Sequence, residues 1–351
     1  MNIGIFIPNW IGDAAMSTPT LRALRSHFGP KARLTGVLRP YVADVLAGTP
    51  WLDDQIFFDP RSAKSEERTW PALKKMRRAN FDVVALLTNS FRTACLAKAS
   101  GAPVRVGYVR YGRGPFLSHK LYSELAGGRR VPRPEIDSYL RIAHTLGCTE
   151  QSRRIELATS PADEALADAV WSKLGLPADK RVVVLNSSGA YGAAKLWPSE
   201  HFARLAKLLV TRQDLHVLVV CGPNERVQAR EIVRLAGDAR VVCLADERPS
   251  IGLTKACVRR SRLLVTTDSG PRFFGVAFGV PVITLFGPTS EDWTQTYYEK
   301  EQCLSHAVPC GPCGKRVCPL EHHDCMRLLS VERVYEAAVG QLNRNRETIA
   351  A

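Results

Sequence analysis

The feature that most constrains the fold is a regular alternation of short apolar runs with longer amphipathic stretches along the 351-residue chain. Apolar runs followed by helical patterns are typical of βαβ units, whose strands form parallel sheets. The first half predicts strands at residues 3–8, 33–38, 55–58, 83–87 and 104–107, and helices near 14–27, 69–79, 91–99 and 135–146. Residues 108–133, rich in Gly, Arg and Pro, are predicted to form a loop.

The same pattern restarts in the second half. Strands are predicted at residues 182–186, 216–221, 262–266 and 282–286, and helices at 161–174, 199–211, from 223, from 269 and at about 331–342. Because 351 residues exceed one comfortable core, two domains are expected. We therefore predict an α/β protein of two Rossmann-like domains, 1–160 and 161–351, the second with a Cys-rich loop at 303–325 and a closing helix that crosses onto the first domain.

The formal charge of +14 is uneven, because residues 1–160 hold 24 Lys and Arg against 13 Asp and Glu, which is +11. A basic half indicates an anionic partner, for which nucleic acid and lipid headgroups both qualify, or else a solvated basic surface. No nucleic-acid motif is recognisable, which favours the lipid. No run of about 18 apolar residues and no basic leader is present, so a cytoplasmic enzyme is expected.

Three loops carry the candidate chemistry, and the first is residues 8–13, Pro-Asn-Trp-Ile-Gly-Asp. It follows the first predicted strand, at the sheet edge where ligands bind in open α/β folds. Asp13 fits two interpretations, a cap for the following helix or a general base that accepts a proton from a hydroxyl.

The second loop follows the strand at 182–186 and contains Ser187, Ser188, Gly189 and Lys195. A Gly/Ser turn exposes backbone N–H groups and hydroxyls that can hold phosphate oxygens, and a lysine adds a point charge for a leaving diphosphate. The spacing is not that of a Walker A loop, so an ordinary connecting loop stays an alternative.

The third loop, Thr266-Thr-Asp268-Ser-Gly270, joins a strand to a helix of small and apolar residues. Ser269 and Gly270 at a helix N-terminus favour an anion. Phosphate would repel Asp268, which is therefore expected to contact sugar hydroxyls or to order the turn. Together the loops predict a nucleotide diphosphate sugar as the ligand.

In combination, these motifs resemble those of the ADP-heptose:lipopolysaccharide heptosyltransferases, and most closely the members that add the second heptose. The resemblance runs from residue 1 to about 340. Its matching segments are residues 8–13 with Met16-Ser17, 89–92 (Asn-Ser-Phe-Arg), 189–198, 267–270 and 285–290.

The resemblance implies a GT-B type fold with two facing Rossmann-like domains, the acceptor on the first and the donor on the second. It implies inverting transfer of heptose from ADP-heptose to a heptosylated Kdo-lipid A core, at the cytoplasmic face of the inner membrane, without a cofactor. Asp13 would be the base, Lys195 with Ser187, Ser188 and Gly189 would hold the diphosphate, Asp268 the heptose, Ser269 and Gly270 the phosphates, and Glu225 the ribose.

The chain departs from the family pattern at Phe273, where members usually carry His. A phenyl ring cannot donate a hydrogen bond to phosphate, so this contact is expected to move to Arg272. Two alternatives stay open: a related glycosyltransferase with another nucleotide sugar, and a non-catalytic membrane- or nucleic-acid-binding module.

Basic side chains in the first half are candidates for the phosphorylated acceptor. The predicted acceptor residues are Arg61, Lys64, Asn89, Arg92 and Arg113. The run at 74–78 (Lys-Lys-Met-Arg-Arg) fits this use or a solvated helix face equally well.

Four cysteines are spaced closely near the end of the chain, at Cys310, Cys313, Cys318 and Cys325. Such density indicates a structural zinc site or, with less support, an iron–sulfur cluster. Free or redox-active thiols are the main alternative, and disulfides are disfavoured in a reducing compartment.

Overall fold

The computed structural model describes residues 1–187, 189 and 191–350, without the side chains of 345–350. The chain divides into two compact units. The first unit comprises residues 1–158 and 292–297, and the second comprises 159–291 and 298–351. The short segment 292–297 therefore lies with the first unit, although the sequence placed it in the second half.

The first unit alternates strands and helices from its start. Its elements are β1 Asn2–Phe6, α1 Ile11–Met16, α2 Thr18–Phe28, β2 Arg33–Leu38, α3 Pro40–Leu46, β3 Asp54–Phe57, α4 Thr69–Ala79, β4 Val83–Leu86, α5 Phe91–Ala99, β5 Val104–Tyr108, β6 His119–Leu121, β7 Leu125–Ala126, β8 Arg129–Arg130 and α6 Glu135–Thr145.

The second unit repeats the alternation. Its elements are α7 Pro161–Lys173, β9 Val182–Asn186, α8 Ser199–Gln213, β10 His216–Val220, α9 Arg226–Ala236, β11 Val241–Cys243, α10 Ile251–Arg260, β12 Leu263–Thr267, α11 Gly270–Ala277, β13 Val282–Phe286, β14 Glu301–Ser305, α12 Asp324–Arg327 and α13 Val331–Ala350.

Within the described residues, each unit contains one parallel sheet of six strands, and the two sheets share one strand order. The orders are β3-β2-β1-β4-β5-β6 and β11-β10-β9-β12-β13-β14. This is the Rossmann order, in which the chain reverses direction across the sheet between its first and fourth strands. Ligands bind at the carboxyl ends of the strands beside that reversal. The relevant pairs are β1 with β4, and β9 with β12.

The predicted helix at 14–27 is two helices, and Pro19 explains the break. Proline has no N–H to donate to the carbonyl of Ala15, four residues earlier. The Thr18 hydroxyl donates to that carbonyl instead, at 2.8 Å. Helix α1 therefore ends at Met16 and α2 begins at Thr18.

The prediction of a loop over residues 108–133 is wrong in two places. Residues His119–Leu121 form β6, which pairs in parallel with β5 as the edge of the first sheet. Strands β7 and β8 form a small antiparallel hairpin, and Gly127 and Gly128 between them adopt positive φ angles that glycine tolerates. Elements α3, β11, α10 and β14 were also not predicted.

The closing helix α13 packs on the core of the second unit. Its apolar side chains Val334, Ala338 and Leu342 belong to the core cluster formed by β9, β10, β12, β13 and α8. Among the described residues, no helix combines the length and the apolar character that spanning a bilayer requires.

Candidate functional site

The strand reversal of the second sheet gathers the predicted donor residues. Strand β9 ends at Asn186 and continues into Ser187, while its neighbour β12 ends just before Asp268. Their loops bring Lys195, from the short 3-10 turn Ala193–Lys195, beside Asp268. The edge that the fold reserves for ligands therefore carries hydroxyls, an ammonium and a carboxylate.

Lys195 and Asp268 form a buried ion pair. The Lys195 Nζ lies 2.5 Å from the Asp268 Oδ2 and donates a second hydrogen bond to the Asp268 backbone carbonyl at 2.9 Å. The Asp268 side chain is 6% exposed, and its Oδ2 also accepts a hydrogen bond from the Thr289 hydroxyl at 2.9 Å. Lys195 is thus held in one orientation at the mouth of the second loop.

The electrostatics of Asp268 keep it ionised. Burial raises the pKa of its carboxyl group, but the positive charges of Lys195 and Arg272 outweigh burial, so the pKa lies below the ordinary value of 3.8. A buried carboxylate between two cations is fully charged at neutral pH. Asp268 therefore neutralises part of the positive charge that Lys195 brings to the edge.

The structure corrects the expectation for Arg272, which was to replace the family histidine at a phosphate. Its side chain is 0% exposed and lies between the carboxylates of Asp268, at 3.1 Å, and Glu301, at 2.6 Å. Burial lowers the pKa of Arg272, but the negative charges of Glu301 and Asp268 raise it by more than burial lowers it. The net pKa therefore lies above the ordinary value, and the guanidinium stays charged. Because this guanidinium has no accessible surface, no ligand can reach it in this conformation.

Phe273 is also buried in the second unit, at 3% exposure. The Arg272 guanidinium lies 5.2 Å from the centre of its ring. The residue at the usual histidine position therefore packs as part of the core around Arg272.

A buried hydroxyl completes this edge of the second sheet. The Asn186 amide donates to the hydroxyls of Thr266 and Ser269, at 2.8 and 2.7 Å. The Ser187 Oγ is buried and has no hydrogen-bond partner among the described residues. Because an unpaired buried hydroxyl is costly, this atom is a natural acceptor or donor for a ligand.

The remaining donor candidates lie at the same edge. Ser269 is the N-cap of α11, and Gly270 is its first residue, so both sit at the positive end of the helix. Gly189 closes the loop through its carbonyl, which accepts from the Gly192 N–H at 2.8 Å. Glu225 is the N-cap of α9 and follows β10. Ser188 lies outside the described residues.

The Cys-rich loop packs against the second loop. The backbone carbonyl of Arg316 accepts from the Ala194 N–H at 3.0 Å, next to Lys195. Gly192 lies so close to this loop that a Cβ would overlap the Arg316 carbonyl oxygen. The Tyr191 hydroxyl donates to the Gly314 carbonyl at 2.6 Å. The Cys-rich loop therefore supports the segment that carries Lys195.

Cys310, Cys313, Cys318 and Cys325 are all free thiols that line one small cavity with His322. Burial, and then the negative charge of neighbouring Cys313, Cys310 and Cys318, raise the pKa of Cys325. Even so, in the part of the chain that the structure describes, no three His, Cys, Asp or Glu side chains are arranged to hold a metal ion.

In the first unit, Asp13 lies at the carboxyl edge of the first sheet. Helix α1 begins at Ile11 with Trp10 as its N-cap, so Asp13 is the third residue of the helix and not its N-cap residue. Asp13 is half-buried in the first turn, where its carboxylate accepts a hydrogen bond from the Tyr139 hydroxyl at 3.2 Å. Burial, and then the charge of Asp13, raise the pKa of Tyr139 well above 10.0, so the phenol stays protonated and donates.

The structure also corrects the acceptor role predicted for Arg113, which is 0% exposed. Its guanidinium donates to the carbonyls of Tyr108 and Thr88 and, at 3.0 Å, to the Asn89 side-chain oxygen. Burial lowers the pKa of Arg113 to about 10. Arg113 therefore fixes the loop after β4, in which Asn89 is half-buried.

The other acceptor candidates are accessible. Arg61 and Lys64 are exposed on the loop after β3, and Arg92 is exposed in the first turn of α5. Lys64 lies 3.7 Å from the carboxylate of Glu67, and that pair is weak because Lys64 is largely solvated. All three side chains are exposed, so an anionic group can reach them.

Sequence reasoning missed three side chains that shape the two edges: Tyr139, Thr289 and Glu301. Tyr139 lies 126 residues from Asp13, and no local pattern links them. Thr289 belongs to the segment 285–290 that carried the family resemblance, which was a usable signal. Glu301 begins β14, a strand that was not predicted.

The edge of the second sheet offers hydroxyls and an ammonium group to an anionic ligand, and the edge of the first sheet offers a carboxylate that can accept a proton. The profile of glycosyltransferase family 9 (heptosyltransferase) matches residues 69–323. A lipooligosaccharide heptosyltransferase 2 of Campylobacter jejuni is 24% identical over 340 residues, which cover 96% of this chain and 98% of that protein.

Two solved structures share the fold. The E. coli ADP-heptose lps heptosyltransferase II is 20% identical with a TM-score of 0.78, and the match covers 99% of this chain and 100% of that one. A glycosyl transferase family 9 protein of Veillonella parvula is 24% identical with a TM-score of 0.80, covering 98% and 97%. The predicted α/β class with two Rossmann-like halves of GT-B type is confirmed. The chain belongs to glycosyltransferase family 9, the heptosyltransferases, and is a glycosyltransferase.

Proposed function

We propose that the protein transfers L-glycero-D-manno-heptose from ADP-heptose to the heptosylated Kdo-lipid A inner core of lipopolysaccharide, with inversion at the anomeric carbon. The observation that carries this proposal is the buried Lys195–Asp268 pair at the strand reversal of the second sheet, the same sheet edge at which the Ser187 hydroxyl is buried. Family membership and the names of the relatives support heptose as the transferred sugar.

On the donor side, Lys195 offsets the charge that develops on the leaving diphosphate. Ser187, Ser269 and the N-terminal N–H groups of α11 offer further donors to phosphate oxygens, as a site prearranged for negative charge requires. The catalytic chemistry then needs no metal or organic cofactor. Asp268 orients Lys195, and a direct contact of Asp268 with the heptose stays a prediction, as do the contacts of Glu225 with the ribose and of Ser188 and Gly189 with the diphosphate.

On the acceptor side, Asp13 takes the proton of the attacking hydroxyl. That oxygen forms the new bond to the anomeric carbon as the bond to ADP breaks, so the configuration inverts. Arg61, Lys64, Asn89 and Arg92 are proposed to hold the phosphorylated core, and Arg113 to position Asn89.

The proposed acceptor is attached to lipid, so we propose that the enzyme works in the cytoplasm, at the inner-membrane surface. Structural zinc at the four cysteines stays a prediction. Metal analysis of anaerobically purified protein tests it: about one equivalent supports the site, and less than about a tenth removes it.

The competing function is transfer from another nucleotide sugar, since Phe273 alters the donor surroundings. Thermal shifts with ADP, UDP, GDP and CMP separate the two. Selective stabilisation by ADP supports heptose transfer, whereas selectivity for UDP moves the donor assignment.

The direct test incubates the purified protein with ADP-heptose and heptosylated Kdo-lipid A, and reads the acceptor by mass. A gain of one heptose that requires both substrates is expected. No gain with ADP-heptose, together with transfer from a UDP-sugar, would contradict the proposal.

A further inference from the structure

Helix α4 of the first unit has an exposed face that packing does not explain. Its apolar side chains Ala72, Leu73 and Met76 are buried in the core of that unit. On the opposite face Trp70 is 77% exposed, although indole is among the most favourable groups to bury. Solvation of a charged face accounts for lysines and arginines, but it does not account for this tryptophan.

The exposed face is strongly basic. Trp70, Lys74 and Arg78 follow one another at intervals of four residues, so they lie along one side of the helix, and Lys75 and Arg77 flank them. We call these five residues the α4 surface. Within the described residues, Lys74, Lys75 and Arg78 have no acidic partner within ion-pair distance.

The preceding loop extends the same charge. Residues 59–79 are all described, and their exposed charged side chains are seven basic and one acidic. The basic ones are Arg61, Lys64, Arg68, Lys74, Lys75, Arg77 and Arg78, and the acidic one is Glu66. The segment therefore presents a nearly unopposed positive field.

The α4 surface begins at the edge where the chemistry is proposed. Strand β3 is parallel to β1 through β2, so the segment that leaves β3 starts at the same edge of the sheet as the loop that carries Asp13. Trp70 stands at the start of α4, and the basic loop of Arg61 and Lys64 connects it to β3.

We propose that the α4 surface docks the enzyme on an anionic phospholipid membrane, which deepens the proposed function by placing Asp13 next to a lipid-borne acceptor. Cations of this density are attracted to acidic headgroups, and indole settles at the level of the headgroups with its apolar ring towards the acyl chains. RNA fits less well, because Trp70 is the only aromatic residue of 59–79 and single-strand binding uses successive aromatic platforms.

The test measures flotation of the full chain with vesicles of phosphatidylcholine alone or mixed with phosphatidylglycerol. The wild type is expected to float only with the mixed vesicles. K74Q/K75Q/R78Q should weaken this binding on the order of 100-fold, because each cation near an acidic surface contributes about five-fold. W70S should weaken it roughly ten-fold.

Matched controls make the same kinds of substitution at exposed residues of the second unit. K180Q/K207Q/R248Q removes three exposed positive charges that have no ion pair in the described chain, and V227S removes a side chain that is 78% exposed. Both should bind within about two-fold of the wild type. Thermal unfolding confirms that each variant is folded.

The proposal is overturned if the triple variant and its control bind equally, if the wild type ignores acidic vesicles, or if it binds single-stranded RNA instead of them. Flotation does not depend on turnover. Membrane binding can therefore be absent while heptose transfer is observed, and heptose transfer can be absent while membrane binding is observed. Transfer to a delipidated acceptor in solution should be the same for the triple variant as for the wild type, and transfer to an acceptor embedded in acidic vesicles should fall.

Discussion

The two units share one strand order, but the carboxylate at the strand reversal differs between them in its burial and in its neighbours. Asp13, after the first strand of the first sheet, is half-buried and accepts a hydrogen bond from the neutral phenol of Tyr139. Asp268, after the fourth strand of the second sheet, is buried between the cations Lys195 and Arg272. One carboxylate has a neutral neighbour beside it, and the other is neutralised by two cations.

The different surroundings suit Asp13 to the proposed chemical step and Asp268 to the support of a neighbouring side chain. A carboxylate that is to accept a proton must stay accessible, and Asp13 is half-buried whereas Asp268 is buried. A cation that is to meet a diphosphate must be held in place, and Asp268 does this for Lys195. On the proposed function, the same edge of one fold supplies a base in one unit and a prearranged charge in the other.

The largest effect is expected on stability, from D268N. Removing this charge leaves Lys195 buried without its counter-ion, so the free energy of unfolding should fall by about 3 kcal/mol. Denaturant unfolding measures it. The matched control is D246N, which breaks an exposed pair with Arg230 and should leave the free energy of unfolding nearly unchanged. Equal effects of the two would remove the distinction.

The same variant carries the pH dependence. Because the pKa of Asp268 lies below 3.8 in the folded protein, its stabilisation is fully present above 3.8 and is lost as the pH falls through the lowered value. As the pH is lowered below about 4, the free energy of unfolding should therefore decrease more steeply for the wild type than for D268N. Parallel curves would show that Asp268 is not held ionised.

Next in size is the effect of R61E/K64E on the acceptor. Reversing two exposed charges near the first sheet should raise the acceptor KM about ten-fold and leave the donor KM alone. Steady-state kinetics with each substrate varied in turn measure both constants. K207E/R248E, the same reversal on the second unit, should change neither KM. An unchanged acceptor KM in R61E/K64E would exclude those residues from the acceptor site.

The smallest effect is expected from Y139F. It removes the hydrogen bond to Asp13 but keeps the ring, so kcat should fall roughly three-fold and the acidic limb of the pH–rate profile should move to higher pH. Y122F, which alters an exposed tyrosine of the same unit, should change neither. A lower kcat with an unmoved profile would make Tyr139 a packing residue only.

Most of the fold follows from local pattern. The strands at 33–38, 182–186 and 282–286 and the helices at 69–79 and 91–99 lie where apolar period and length predicted them. The missed elements carry weak local signals. Strands β6, β11 and β14 all lie at the edges of the sheets, and β6 and β11 are only three residues long. Such strands are determined by the strands they pair with, which periodicity does not reveal.

The site was predictable by position but not by pairing. That the three loops meet sheet edges follows from the alternation, because parallel strands end together. Arg272 and Arg113 were misassigned because a cation next to a functional loop looks the same in sequence whether it faces a ligand or two buried oxygens. Glu301 and Tyr139 are distant in sequence from the residues they touch, so only the folded chain reveals them.

The most direct test of the division between the units compares D13N with K195M in one experiment, which measures turnover with ADP-heptose and the thermal shift on adding ADP. We predict that D13N loses turnover by about 10³-fold and keeps the shift of the wild type. K195M should lose at least about 10²-fold of the turnover and most of the shift. Retained turnover in D13N, or loss of the ADP shift in D13N rather than in K195M, would contradict the account.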